Sequence, residues 1–139
     1  MSEFTASTNV DEVIATLRRY QADIRSIVQK PLDDGAFAAE AYLKPYPAPP
    51  PDSTYVRGQP PSEKLGTRWT TRRISGQEFV GRELGNNASY AFWVQSDELQ
   101  ARVHQDRWQT DEMAIRQVLP GTVRGVQQAL IDEANHLGR

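Results

Sequence analysis

Seven of the nine prolines fall at positions 45, 47, 49, 50, 51, 60 and 61. A proline has no backbone N–H to donate and holds its φ near ~−65°, so the stretch 44–63 can be neither a helix nor a central strand. It reads as an extended, partly polyproline-like arm with a solvated backbone. An irregular connection of about 20 residues is long for a compact domain and is normally functional or disordered. Two readings stay open at this stage: an arm ordered against a partner chain, or a solvated linker.

The arm separates a helical beginning from a mixed remainder. From Thr8 to Gln29, Val10, Val13, Ile14, Leu17, Tyr20, Ile24, Ile27 and Val28 recur at spacings of three and four, the period of an amphipathic helix. Asn9 and Glu12 suit a capping box at its start. Pro31 is expected to end this helix and to open a shorter one reaching Leu43, which makes 8–43 the helical N-terminal part. Beyond the arm, Thr67–Ser75 and Gln77–Leu84 are rich in aromatic and β-branched residues and meet at Ser75-Gly76, which predicts an antiparallel hairpin. Gly85-Asn86-Asn87 signals a second turn, and Tyr90–Val94 (YAFWV) a third strand, so 64–95 is assigned to antiparallel strands. Residues 96–110 read as a loop. A C-terminal helix over 111–138 follows, kinked or split by Pro120-Gly121, with Val123, Val126, Leu130, Ala134 and Leu137 at heptad-like spacing. No repeat of 20 to 50 residues is visible.

Together these segments predict an α+β fold in which long N- and C-terminal helices pack on a small antiparallel β-sheet, with a long proline-rich arm. The 139 residues form one domain, 1–139, on the usual range of roughly 100–200 residues per domain. Sixteen Lys and Arg against eighteen Asp and Glu leave a net charge of -2, which gives no global electrostatic case for a nucleic-acid or membrane-surface binder. No apolar run approaches the ~18 residues of a membrane span, and the opening MSEFTASTNVDE lacks the basic-then-apolar pattern of a secretory signal. A soluble protein made in a cytoplasm is therefore expected.

Chemical motifs are sparse. The chain has no cysteine, which excludes disulfides, thiol nucleophiles and thiolate zinc sites. Its two histidines, His104 and His136, lack metal-ligand spacing. His104 lies near Asp106, Glu98 and Asp111, so a carboxylate–histidine pair is conceivable, but no nucleophile turn accompanies it and a structural histidine is the simpler reading. His136 suits the end of a helix, where the dipole favours a partly charged imidazole. No phosphate-binding glycine loop occurs. We expect no catalytic residue, no metal and no cofactor.

Between Val56 and Arg82, Arg57, Lys64, Arg68, Arg72, Arg73 and Arg82 outnumber Glu63 and Glu78, a local excess of four positive charges. Such a stripe could line a channel carrying DNA or meet an acidic partner. The alternative is a solvated hairpin face with edge-protecting charges. Strand alternation sends Trp69, Thr71 and Arg73 one way and Thr70, Arg72 and Ile74 the other, so the basic groups do not share a face. Of the three tryptophans, Trp69, Trp93 and Trp108, at least two are expected in the core, while Trp93 beside Phe92 suggests a face covered by a neighbouring subunit.

The order of phrases from Tyr55 to Thr110 resembles a family of small bacteriophage tail-component proteins, the lambdoid neck and tail-completion group. The phrases are Tyr55-Val56-Arg57-Gly58, Lys64-Leu65-Gly66-Thr67-Arg68-Trp69, Gly85-Asn86-Asn87-Ala88-Ser89-Tyr90-Ala91-Phe92-Trp93-Val94, and His104 followed by Arg107-Trp108-Gln109-Thr110. Between Arg57 and Leu65 the chain departs from the family, with GQPPSEK in place of a shorter Thr-Gly linker. The resemblance implies a structural virion protein of the head-tail neck or tail end, assembling as a ring, commonly of six copies, between connector and tail tube. Its partners would be further copies of itself and other phage neck, connector and tail proteins, with possible lumen contact with genomic DNA and no membrane. Interface candidates on this reading are Tyr46, Tyr55, Arg57, Trp69, Arg72, Arg73, Tyr90, Trp93, His104 and Trp108. A tail terminator capping the tube is the nearest alternative role, and a small DNA-binding module using the basic hairpin is the alternative from another class.

Overall fold

The computed structural model describes residues 10–48 and 65–137. The N-terminal cap at Asn9, interface candidates Tyr55 and Arg57, and most of the proline-rich stretch lie outside the described residues.

The first element is one helix, α1 (Val10–Leu43), and not the two expected. Pro31 sits inside it. A proline in a helix interior removes one hydrogen bond and crowds the preceding turn, at a cost of ~3 kcal/mol or more, so the surroundings must hold both halves in line. They do so from two sides. On one, Gln29 donates to the Gly81 carbonyl and Asp33 binds Arg73 and Arg82, so a hairpin grips α1 before and after the proline. On the other, Gly125 of the last helix lies directly against the Pro31 ring.

That last helix, α3 (Asp111–Leu137), is likewise a single helix, running on through Pro120-Gly121 where an interruption was expected. It packs antiparallel to α1, with Ala114 beside Ala39 and Leu43, and Thr122 beside Gly35. The approach is close because both surfaces are small: a Cβ added to Gly35 would stand 2.2 Å from the Thr122 hydroxyl. The Thr122 hydroxyl also donates to the Val118 carbonyl one turn back, within the stretch where Pro120 donates nothing.

In chain order the two long helices are separated by β1 (Trp69–Ser75) and β2 (Val80–Asn86), an antiparallel pair in the register Trp69 to Asn86 through Ser75 to Val80. The turn at 76–79 closes with the Gly76 N–H donating to the Phe79 carbonyl at 2.9 Å. A Cβ at Gly76 would meet the exposed Phe79 ring, which would have to move aside to admit it. The hairpin begins two residues later than expected at Trp69 and ends two later at Asn86.

The expected third strand is a short helix, α2 (Ala91–Gln95), so the sheet has two strands among the described residues. Asn86 explains the difference. Its side-chain oxygen accepts the Ala88 N–H at 2.9 Å, turning the chain out of the ladder, and the next bonds, Ala91 to Ala88 and Trp93 to Tyr90, are those of a turn winding into a helix. A short apolar run without polar alternation is compatible with either state, and here the turn before it decides. A single-turn helix at Leu65–Thr67 leads into β1, and another, at Arg102–His104, breaks the expected 96–110 loop.

Two small cores result. Ala39, Leu43 and Ala114 are covered by Tyr42, Trp69, Leu84 and Val118; Leu65, Ala88 and Val94 are covered by Tyr90, Ala91 and Trp108. The architecture is thus α+β, long helices on a small antiparallel sheet. Among the described residues no helix is long and apolar enough to cross a membrane.

Candidate interaction surface

The basic hairpin is largely neutralised within the chain. Arg73 and Arg82 turn toward α1 and converge on Asp33: Arg73 Nη2 lies 2.8 Å from Oδ2, Arg82 Nη1 lies 3.2 Å from Oδ1, and Gln29 Nε2 donates to Oδ1 at 2.8 Å. The Arg73 hydrogen bond, reinforced by those from Gln29 and Arg82, holds the Asp33 carboxyl down at about 2 against the opposing effect of burial. Arg82 also donates to the Thr71 hydroxyl, and its guanidinium covers the Phe37 ring at 4.6 Å. Arg72, on the opposite face as strand alternation requires, pairs with Glu83 across the ladder at 2.7 Å. That pair is exposed and worth little. Arg72 and Arg73 are therefore ion-paired in cis.

A second constellation gathers residues distant in sequence. Tyr46 meets Trp108 edge to face at 5.1 Å between ring centres, and His104 meets the same indole at 6.2 Å. The Gly66 N–H donates to the Tyr46 hydroxyl at 2.9 Å, and Arg107 donates to the Ala48 carbonyl at 3.2 Å. Residues 46–48 and 65–66, the two flanks of the proline-rich stretch, are thereby held together at one spot. Asp106 adopts a left-handed φ of 61°, a conformation an aspartate tolerates, and the chain reverses there to bring Trp108 back to Tyr46.

Amide side chains fasten this region to the rest. Gln95, buried, donates to the Leu43 carbonyl at the end of α1; Gln100 donates to the Val94 carbonyl; Asn86 donates to the Leu65 carbonyl. Sequence reading placed Asn86 in a turn, Gln95 at the end of the strand region 64–95 and Gln100 in the 96–110 loop. They share no local pattern, lying in Gly85-Asn86-Asn87, Val94-Gln95-Ser96 and Leu99-Gln100-Ala101.

Of the candidates named from sequence, Tyr46, His104 and Trp108 share one cluster, and Tyr90 packs on the adjoining core beside Trp108. Trp69 packs on the other core, its indole N–H buried without a partner. Trp93 stays half exposed with its ring 4.8 Å from Phe92. His104 has its Nδ1 buried and unbonded, and burial, with the Arg107 charge adding to it, lowers its pKa. Among the described residues no group of three or more His, Asp or Glu side chains could hold a metal ion.

The surface itself is the unusual feature. Among the described residues, six apolar side chains are buried while nineteen large ones stand exposed. Two concentrations matter. One is the N-terminal half of α1, where Val13, Ile14, Leu17 and Tyr20 continue the stripe that Ile24 and Val28 carry under the hairpin tip, with Phe79 at its edge. The other is a groove of about 670 Å³ between α1, α3, β2 and α2, floored by Ala36, Ala39 and Leu84 and rimmed by exposed Phe92, Ile115 and Leu119. Isolated exposed apolar residues are ordinary, but contiguous apolar patches mark interaction sites.

Comparison with protein-family models, with curated proteins and with solved structures finds no match for this chain.

Proposed function

We propose that this chain is a structural subunit of a phage particle, placed at the head-tail neck or the tail end and assembling as a ring, of six copies on the resemblance of its Tyr55–Thr110 phrases. The observation that carries the reading is the distribution of apolar surface: among the described residues only six apolar side chains are buried, three of them alanines, while large ones line two exposed faces. A monomer gains nothing from that arrangement, and a subunit buries those faces against its neighbours. The pinned flanks of the proline-rich stretch add support, since they fix the point from which an arm would leave the body. On this reading the protein is made in the host bacterial cytoplasm, ends in the virion, binds no cofactor and performs no catalysis. The neutralised hairpin arginines favour this reading over the DNA-binding alternative.

The test is genetic and compositional. The gene is disrupted in a phage or prophage that carries it, and particles made with and without a complementing copy are examined by electron microscopy and quantitative mass spectrometry. Tailless or tail-defective particles without the gene, and several copies per tailed particle with it, support the role. Normally tailed, infectious particles lacking the chain overturn it.

A further inference from the structure

The two exposed apolar faces are different in shape and lie apart. On α1, Val13, Ile14, Leu17 and Tyr20 form a convex ridge at positions i, i+1, i+4 and i+7, the spacing with which an amphipathic helix enters a groove. Near the other end of the molecule is such a groove, where small residues, Ala36, Ala39 and Gly85 among them, let a visiting helix approach the floor closely. Along α1 the ridge at Leu17 and the groove residues Leu32–Leu43 are separated by roughly 20 to 40 Å at 1.5 Å per residue. Both features belong to one continuous helix, so a molecule cannot fill its own groove with its own ridge.

We propose that copies of this chain join head to tail, the Val13–Tyr20 ridge of one copy lying in the groove between α1, α3 and β2 of the next. Unlike faces in contact make a heterologous interface, which generates a ring when the rotation closes. The inference deepens the assembly reading above and rests on it.

The areas agree. Val13, Ile14, Leu17, Tyr20 and Phe79 are each 40–62% exposed, which leaves on the order of 500 Å² of apolar surface uncovered at roughly 200 Å² per large side chain. A stable interface buries about 800 Å² per partner, of which a little over half is apolar. Phe92, Trp93, Ile115 and Leu119, at 44–55% exposed, offer a comparable amount around the groove.

The charges agree as well. The groove is acidic at its mouth: Asp111 lines it, the Asp97 N–H donates to the Asp111 carboxylate, and Asp97 and Glu98 follow the groove residue Ser96. Of the cations nearby, Arg82, which lines the groove, is already paired with Asp33, and Arg116 with Glu112. Beside the ridge, Arg18 flanks Ile14 at i+4, is exposed, and makes no ion pair among the described residues. Docking the ridge carries the unpaired Arg18 guanidinium toward that carboxylate cluster.

Because the chain has no cysteine, the contact can be read by cross-linking introduced thiols. Full-length Leu17→Cys and Ile115→Cys variants, both at exposed positions, are treated with a short flexible bismaleimide, alone and mixed, after circular dichroism confirms the fold. The expected result is a dimer band in the mixture and not in either variant alone, and a ladder of multimers when both changes share one chain. Adding Tyr20→Asp to the Leu17→Cys variant lowers the mixed-dimer yield at least tenfold. Monomer alone in the mixture, or equal dimer from a single variant, overturns the proposal; the latter indicates like faces meeting. The phage role fails separately: particles that contain the chain without the 17–115 cross-link sink the interface and leave the role standing, whereas a ladder from a chain absent from particles does the reverse.

Discussion

The two halves of α1 are built from one amphipathic pattern and meet different fates. From Pro31 to Leu43 the helix carries Gly35, Ala36, Ala38 and Ala39, is crossed by α3 at a glycine and gripped by the hairpin at Asp33. From Val10 to about Tyr20 it carries Val13, Ile14, Leu17 and Tyr20 and keeps them in solvent. Burial of large side chains is the main stabilising term in folding, yet here the covered half is the one with small residues. Small residues permit backbones to approach, so they mark where the chain packs on itself; the large residues left outside form the ridge that we propose meets a second copy.

The sharpest way to break this contrast is to make the covered half bulky. Gly35→Val pushes a side chain into Thr122 and is expected to cost ~3 kcal/mol, read as a lowered urea midpoint with an unchanged slope; an unchanged midpoint shows that the helix crossing yields easily. Next in size is the charge seam. Asp33→Asn leaves Arg82, mostly buried, without its counter-ion, an expected loss of ~2–3 kcal/mol by chemical denaturation.

The same carboxyl makes a pH prediction. Its folded pKa, about 2, lies below its ordinary 3.8, so its contribution of up to ~2 kcal/mol is present above pH ~4 and lost as pH falls toward ~2. Thermal melts of the parent protein should show that loss, and melts of Asp33→Asn a weaker dependence across the same interval. A smaller effect is expected at the pinned flanks: Tyr46→Phe removes the acceptor for the Gly66 N–H and should lower stability by ~1 kcal/mol. The exposed half completes the contrast. Leu17→Asp is expected to shift stability by no more than ~0.5 kcal/mol, while assembly into particles is lost; a large fall in stability would mean that the ridge is already covered within the monomer.

Much of this fold is legible in the sequence, and the failures are instructive. The apolar stripe of α1, the hairpin and its Ser75-Gly76 corner follow from periodicity and turn chemistry. The alternation that places Arg72 and Arg73 on opposite faces is also visible there, and the structure pairs them accordingly with Glu83 and Asp33. Pro31 and Pro120 were read as helix breaks because local energetics say so, yet both lie inside helices, Pro31 flanked by the hairpin and α3 and Pro120 beside the close α1–α3 crossing at Gly35 and Thr122. YAFWV was read as a strand, because nothing local shows that Asn86 has already turned the chain. Of the candidate surface, Tyr46, Trp93, His104 and Trp108 were visible as aromatic or polar anchors, but the groove was not, since its walls come from segments up to about ninety residues apart.

What the sequence by itself determines is therefore the set of elements and their chemistry: which faces are apolar, which residues must turn, and that no thiol or phosphate-loop chemistry is present. What only the tertiary structure decides is which apolar faces are spent inside the molecule. Periodicity gives every amphipathic stripe the same signature, and only the path of α3 and the hairpin across α1 separates a stripe that becomes core from one that remains an offered surface.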